Sequence, residues 1–162
     1  MRHSPADAVD PDVDLQVRAQ RREARQHDVL VAIAAGGALG AEARYGVGVA
    51  LPHAAAAFPW STLLINAVGC FLIGVLMVLI TEVRSAPRLL RPFLGVGVLG
   101  GFTTFSTYAV DTHRLLLAGR PAIALAYVAG TLAAAMAAVW VGANATRVAS
   151  GWWAVRGTGE AG

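Results

Sequence analysis

Long apolar runs, separated by short polar segments, are the feature that most constrains how this chain can fold. A helix needs about 20 mostly apolar residues to cross a bilayer, and such runs occur at about residues 29–51, 60–80, 93–110 and 122–143. Hydrophobic residues make up 56% of the chain and charged residues only 14%, which is too apolar for an ordinary water-soluble domain. The sequence therefore predicts an all-α membrane protein whose four transmembrane helices form one domain at residues 29–143.

The third run contains the sequence GGFTTFSTY at residues 100–108, which is unusual for the middle of a membrane span. Glycine permits non-helical backbone, and threonine hydroxyls can pair with backbone groups that lose their helical partners. We therefore predict that the third helix is broken in mid-membrane, where irregular backbone is tolerated only if it is buried in protein or lines a cavity. Freed carbonyls can hold a cation there, and freed amides can face an anion. Close helix packing is the simpler alternative for these two glycines, and the small-xxx-small pattern at Gly36, Gly37 and Gly40 predicts it for the first span.

The two ends of the chain are polar. The polar composition of residues 1–28 predicts a disordered cytoplasmic tail. A helix lying on the membrane surface at about residues 15–25 is the weaker alternative. Residues 144–162 predict a C-terminal tail that begins with interfacial tryptophans. All thirteen basic residues are arginine, and the side opposite the tails and the 81–92 loop has only Arg114 and Arg120. Because cytoplasmic loops are enriched in basic residues, we expect both termini of this plasma-membrane protein in the cytoplasm.

Few polar side chains lie inside the predicted spans. Asn66 lies deep in the second span, where its amide either bonds across helices or turns its donors towards an anion. Arg44, in the first span, either extends to the membrane edge or faces water or protein. Glu42, two residues earlier, is either an interfacial residue or an intramembrane carboxylate.

No pattern in the sequence indicates an enzyme. Residues 95–100, GVGVLG, match the G-x-G-x-x-G fingerprint only in letters, because no strand precedes them and they lie inside a predicted span. The single cysteine, Cys70, allows no intrachain disulfide, and the four histidines lack the spacing of a zinc site. Glu42 is the one carboxylate in the predicted spans, so chemistry by a pair of acid and base groups has no support.

Three blocks of this sequence resemble the CrcB/Fluc family of fluoride ion channels. They are GGALGAEARY at 36–45, PWSTLLINAVGCF at 59–71 and GGFTTFSTY at 100–108, and the resemblance covers about residues 29–143 in the same order. The third block is highly specific, the second is fairly specific and the first is weak alone. The resemblance implies an antiparallel dimer of four-helix subunits with two pores, which exports fluoride passively and confers fluoride resistance.

The resemblance also implies roles for individual residues. The backbone carbonyls of Gly100 and Thr103 would coordinate a structural sodium ion (Na+) that is not transported. Arg44 would lie near an entrance vestibule. The fluoride pore would be lined by polar and aromatic side chains, namely Asn66, Phe105, Thr107, Tyr108, Tyr127 and Thr131. Fluoride is small and strongly hydrated, so amide donors and electropositive ring edges would have to replace its water.

The chain departs from the family pattern in several ways. Tyr108 stands where phenylalanine is usual, Ser61 where glycine is usual, and Cys70 where serine is usual. The one-sided distribution of arginines is a further departure, because an antiparallel homodimer requires the same chain to insert in both directions. Two partners therefore stay open, a second copy of this chain and an oppositely oriented homologue.

Two other functions fit parts of the sequence. A small multidrug-type four-helix transporter would use Glu42 as its membrane carboxylate, but Arg44 would compete as a counter-ion and the break at 100–108 would have no purpose. A non-conducting membrane subunit would need Asn66 and Phe105 for assembly only.

Overall fold

The computed structural model of the chain describes residues 15–54, 56–83 and 87–157. This part of the chain is helical and contains no strand. The helices are α1 (Leu15–Ala50), α2 (Trp60–Val78), α3, α4 (Ser106–Leu117) and α5 (Pro121–Gly157). Helix α3 consists of wide, π-type turns at Arg91–Leu99 followed by an α-helical turn at Gly100–Phe102, and π-type turns at Leu79–Val83 prolong α2.

Three helical stretches of the described chain are long and apolar enough to cross a membrane: Trp60–Glu82, Arg91–Leu117 and Pro121–Gly151. Their mean hydropathies are 2.8, 1.4 and 2.0. Helix α1 is not among them, because its glycines, Glu42 and Arg44 dilute the apolar residues. The described residues thus form an all-helical structure with three membrane-capable helices, and a fourth span through α1 stays a prediction.

Helices α1 and α5 extend beyond the predicted spans. Helix α1 begins at Leu15, so that residues 15–28 are helical where the sequence favoured a disordered tail. Helix α5 continues to Gly157, whereas the fourth span was predicted to end at about residue 143. Residues 15–28 contain neither glycine nor proline and are rich in arginine, glutamine and alanine, which are good helix formers. A helix that has already nucleated extends through such a sequence at little cost. Residues 1–14 and 158–162 lie outside the described residues.

Glycines form the contact between α1 and α3. A Cβ atom on Gly36 would fall on the carbonyl oxygen of Phe93, and a Cβ atom on Gly40 would fall on that of Val98. Both obstacles are backbone atoms, which cannot move aside without shifting the helix. The predicted packing role of the small-xxx-small pattern is therefore confirmed.

Helices α2 and α5 form the second close pair. Gly74 of α2 lies against the backbone of Val139, and Gly142 of α5 lies against the backbone of Phe71. As in the first pair, small residues allow two backbones to approach directly. Four of the five helices are therefore arranged as two close pairs, α1 with α3 and α2 with α5.

Two ion pairs mark one end of the bundle. Arg147 of α5 donates through Nε and an NH2 group to the Glu82 carboxylate at 2.8–3.1 Å. Arg88, just before α3, donates to Asp28 of α1 at 2.9 Å. The α1–α2 and α4–α5 connections lie at the opposite end of these helices. Because all four side chains are exposed, the pairs contribute little stability and chiefly align the helix ends.

Replacing Gly40 with alanine should destabilise the α1–α3 pair, because the added Cβ atom would meet the backbone of Val98 and Phe102. We expect the free energy of unfolding to fall by about 1–3 kcal/mol, the usual cost of overpacking. Gly37→Ala is the matched control, since no atom lies within 4 Å of its Cβ position. Thermal unfolding of the purified variants in one detergent measures the difference, and equal stabilities would contradict the packing role of Gly40.

Candidate functional site

The helical stretch from Arg91 to Leu117 is interrupted in its middle. Helical turns end at Phe102 and resume at Ser106. Thr103 has extended backbone dihedrals, with φ −70° and ψ 157°. Such an interruption takes backbone amides and carbonyls away from their helical partners, and each group needs another partner in apolar surroundings.

Asn66 of α2 supplies partners for the interrupted backbone. Its side-chain nitrogen donates to the Thr104 carbonyl at 3.0 Å, and its side-chain oxygen accepts from the Thr104 amide at 2.9 Å. Bonding across helices, one of the two alternatives for this residue, is thus observed, and the other, an anion at its amide, stays a prediction. A primary amide has two N–H donors, so the second donor of Asn66 remains for a ligand.

The side chain of Thr104 begins the next helix. Its hydroxyl accepts from the Thr107 amide at 3.1 Å and donates to the Thr107 hydroxyl at 3.0 Å. The Ser106 hydroxyl lies 3.3 Å from the same oxygen. Threonine is a preferred residue at this capping position, which explains why helical structure resumes here. The result is a cluster of three hydroxyl groups at the start of α4.

The carbonyls of Gly100 and Thr103 have lost their usual donors. In a continuous helix the Gly100 carbonyl would accept from the amide of residue 104, but that amide donates to Asn66. The Thr103 carbonyl would likewise accept from the Thr107 amide, which donates to the Thr104 hydroxyl. Backbone carbonyl oxygens are suitable ligands for a hard cation. The two carbonyls that the family resemblance assigns to sodium therefore fit such a role.

Two neighbouring cavities share Thr104 in their linings. The first, which we call the arginine cavity, has a volume of about 580 Å³ and is lined by Arg44, His53, Thr62, Thr107, Asp111 and Arg114, among others. The second, which we call the aromatic cavity, has a volume of about 350 Å³ and is lined by Asn66, Cys70, Phe105, Tyr108 and Thr131, among others. Thr104 therefore belongs to the walls of two spaces that are each large enough for ions and water.

Aromatic rings form a continuous row behind the aromatic cavity. Ring centroids are 5.7 Å apart for Phe105 and Tyr108, 5.3 Å for Tyr108 and Tyr127, and 5.5 Å for Tyr127 and Phe58, which meet edge to face. The Tyr108 hydroxyl donates to the Val128 carbonyl of α5 at 3.3 Å. This bond directs the hydroxyl towards α5 while the ring stays in the cavity lining.

Most of the predicted site residues line one of the two cavities. Asn66, Phe105, Tyr108 and Thr131 line the aromatic cavity, and Arg44 and Thr107 line the arginine cavity. Tyr127 lines neither cavity; it is fully buried beside Leu115, with its hydroxyl near Thr62 and Asp111 and without a hydrogen-bond partner among the described residues. The Thr131 hydroxyl is buried and has no hydrogen-bond partner among the described residues. A buried hydroxyl without a partner is costly, so this one is suited to receive a ligand.

Sequence reasoning missed Asp111, which it placed in a polar connection after the third span. Asp111 lies on α4, is only 2% exposed and lines the arginine cavity. The Thr62 hydroxyl donates to its carboxylate at 2.7 Å. His53 and Arg114 place nitrogen atoms 3.7 and 3.8 Å from the same carboxylate.

A signal for Asp111 is nevertheless present in the sequence. Thr104, Thr107, Asp111 and Arg114 are spaced by three or four residues, so they share one helix face. The prediction that the third span ends at about residue 110 concealed this pattern. Helix α4 in fact continues to Leu117.

The described residues thus form a helical structure with three membrane-capable helices and two partly polar cavities beside an interrupted helix. Residues 31–143 match the family described as CrcB-like protein, Camphor Resistance (CrcB). The chain is 55% identical to "Fluoride-specific ion channel FluC 1" of Streptomyces coelicolor, with 78% of this chain and 82% of the relative covered. It is 52% identical to "Fluoride-specific ion channel FluC 2" of Nocardia farcinica, with 76% and 88% covered. The chain belongs to the CrcB family.

Asn66→Ala should destabilise the interrupted helix, because the amide and the carbonyl of Thr104 would both lose their partner. Each buried backbone group left unpaired costs about 1–3 kcal/mol. Asn144→Ala is the matched control, since among the described residues Asn144 donates to the Trp140 carbonyl one turn earlier in its own helix, in an exposed position. Unfolding in detergent measures both variants, and an Asn66→Ala protein as stable as the control would disprove the pairing.

Tyr108→Phe should keep the aromatic row and remove only the bond to the Val128 carbonyl. A single neutral hydrogen bond contributes about 0.5–1.5 kcal/mol, so we expect a loss of stability of this size. Tyr108→Leu removes the ring as well and should cost more, because the contacts with Phe105 and Tyr127 are lost. Equal losses for the two variants would show that the hydroxyl bond alone holds the side chain.

Proposed function

We propose that this chain is a subunit of a fluoride-selective channel of the plasma membrane, which lets fluoride leave the cell passively and so lowers cytoplasmic fluoride. The observation that carries the proposal is the position of Thr104, which is paired with Asn66 and belongs to the lining of both cavities. Membership in the CrcB family, with relatives named as fluoride-specific ion channels, supports the choice of ion.

The proposed path runs from the arginine cavity through the hydroxyl cluster into the aromatic cavity. Arg44 and Arg114 attract anions to the first cavity. The hydroxyls of Thr107 and Thr131 then supply donors in place of water, since the Thr104 hydroxyl already donates to Thr107. In the aromatic cavity the free N–H of Asn66 and the positive ring edges of the aromatic residues continue this role. Neutral donors bind fluoride strongly enough for it to enter and weakly enough for it to leave.

We propose that the working channel is an antiparallel dimer. The ring of Phe105 is 79% exposed on the single chain, although it lines the aromatic cavity. Such a large exposed aromatic surface at a polar site is suited to be covered by a second subunit. In this dimer each subunit crosses the membrane four times, with α1 as the first span and the interruption at residues 103–105 in mid-membrane.

The carbonyls of Gly100 and Thr103 are proposed to hold a structural sodium ion between the subunits. Their helical donors are engaged elsewhere, and Gly100 is exposed on the single chain. When bound, the ion supplies positive charge between two anion paths. The carbonyls themselves serve to fix the interrupted backbone at the dimer axis.

We propose that both termini lie in the cytoplasm. Ten arginines lie on the side of the termini and of the loop at 81–92, against Arg114 and Arg120 on the other side. An excess of this size favours one orientation for every copy of the chain. An oppositely oriented homologue would then complete the antiparallel dimer, with a second copy of this chain as the alternative partner.

The two competing functions have less support. A multidrug-type transporter would need Glu42 in a substrate site, but Glu42 is exposed on α1 and lines neither of the two cavities. A non-conducting subunit would not explain why polar and aromatic side chains line the aromatic cavity.

Fluoride efflux from proteoliposomes, read with a fluoride electrode beside a chloride control, tests the proposal. We expect fluoride-selective efflux that falls about tenfold or more in Phe105→Ile, because a ring edge in contact with the ion contributes on the order of 1 kcal/mol or more. Phe71→Ile is the matched control, since Phe71 lines neither cavity. Both variants must elute as folded protein.

The outcomes separate the candidate functions. Efflux from this chain alone supports a homodimer, and efflux only after co-expression with an oppositely oriented homologue supports a heterodimer. No efflux in either case would overturn the channel. Unchanged efflux in Phe105→Ile would exclude the aromatic cavity from the path, and proton-coupled export of a lipophilic cation would favour the transporter.

A further inference from the structure

Charged and titratable side chains from three parts of the chain meet in the arginine cavity. His53 comes from the α1–α2 connection, Asp111 and Arg114 come from α4, and Arg44 and Tyr45 come from α1. Helix α2 contributes neutral hydroxyls, those of Ser61 and Thr62, and Tyr127 of α5 faces Asp111 from outside the cavity lining. The cavity therefore contains two permanent positive charges, one buried carboxylate and one histidine.

The buried carboxylate opposes an anion in this cavity. Asp111 is 2% exposed, and the Thr62 hydroxyl donates to it at 2.7 Å. The Arg114 side chain is 59% exposed, so much of its charge is solvated, and its nitrogen stays 3.8 Å from the carboxylate. An ionised carboxylate at this depth needs further compensation.

His53 is placed to give that compensation when it is protonated. Its Nδ1 atom lies 3.2 Å from the Ser61 hydroxyl, and its Nε2 atom lies 3.7 Å from the Asp111 carboxylate. A neutral imidazole has one N–H donor, whereas the protonated ring has two. The Ser61 hydroxyl can donate to Nδ1 or accept from it, so the ring keeps this contact in both protonation states, and only the protonated ring adds a positive charge beside Asp111. Histidine is also the side chain that usually changes charge between about pH 5 and pH 8.

We propose that the arginine cavity is a proton-dependent anion site, in which protonation of His53 neutralises Asp111 and allows Arg44 and Arg114 to hold fluoride. When His53 is neutral, the Asp111 charge repels the incoming anion. The inference rests on the proposed fluoride path. It adds that the rate of fluoride efflux depends on the pH on the side of the membrane to which the arginine cavity opens. Hydrogen fluoride forms in acid and crosses lipid without a protein, so faster return of fluoride in acid would be useful to a cell.

The pH dependence of fluoride efflux tests the site directly. We expect efflux to be about threefold to tenfold faster at about pH 6 than at about pH 8, the change expected from one unit charge several ångströms from the ion. Protein-free vesicles give the leak of hydrogen fluoride at each pH. His53→Gln should remove the pH dependence and keep efflux at the low rate.

Two further variants sharpen the test. Asp111→Asn should raise efflux at about pH 8, because the repelling charge is gone, and should reduce the pH dependence, because no carboxylate then stabilises the protonated His53 ring. His113→Gln is the matched control, since His113 is an exposed histidine on α4 and does not line the cavity. The control should behave as the unaltered chain. A pH dependence that persists in His53→Gln, or efflux without any pH dependence in the unaltered chain, would overturn the inference.

A second measurement does not require conduction. In the full-length chain in detergent, the NMR signal of the His53 ring should move on addition of sodium fluoride at about pH 6 and stay in place at about pH 8. Sodium gluconate provides the same ionic strength, and the His113 signal provides the internal control. Equal responses to fluoride at both pH values, or none at either, would overturn the site. Efflux that is absent at every pH, with the NMR response intact, would instead contradict the proposed function.

Discussion

The pairing of one side-chain amide with one backbone unit is the interaction on which the rest of the site depends. Asn66 hydrogen-bonds to both the amide and the carbonyl of Thr104. Because these backbone groups are paired, the interrupted helix is tolerated in apolar surroundings. Once Thr104 is held in this way, its own hydroxyl is free to begin α4. The carbonyls of Gly100 and Thr103 are left without their helical donors as a direct consequence. A cap, two available carbonyls and a polar cavity wall thus follow from one pair of hydrogen bonds.

The surrounding helices bring Asn66 to this position by close backbone contact. Helix α2, which carries Asn66, lies directly against α5, which carries Thr131. Helix α1, which carries Arg44, lies directly against α3. The wide turns of α3 lead into the interruption, and π-type turns are frequent next to functional sites. Polar groups from separate helices therefore converge on one short segment of backbone.

The residues that the sequence predicted well are those whose physical role is local. Helix class follows from the apolar runs, and the change of structure near Thr103 follows from the adjacent glycines and threonines. The partner of Asn66 could not be chosen from the sequence, because Thr104 is 38 positions away and both alternatives satisfy the amide. Asp111 was missed because its burial depends on Thr62 and His53, which are distant in the chain. Tyr127 was expected at the pore, a role that stays a prediction, and its ring contacts with Phe58 and Tyr108 could not be foreseen from the sequence.

The glycine contacts bear on how this protein can move. In both helix pairs the obstacle to any closer or sliding approach is main chain, not a side chain that can change rotamer. A carrier that exposes its site first to one side and then to the other must repack its helices in every cycle. The backbones of both helix pairs are in direct contact at glycines, so a shift of one helix along the other would separate or compress these contacts. Such pairs therefore resist repacking. Such close backbone packing suits a channel, in which ions cross without a rearrangement of the helices.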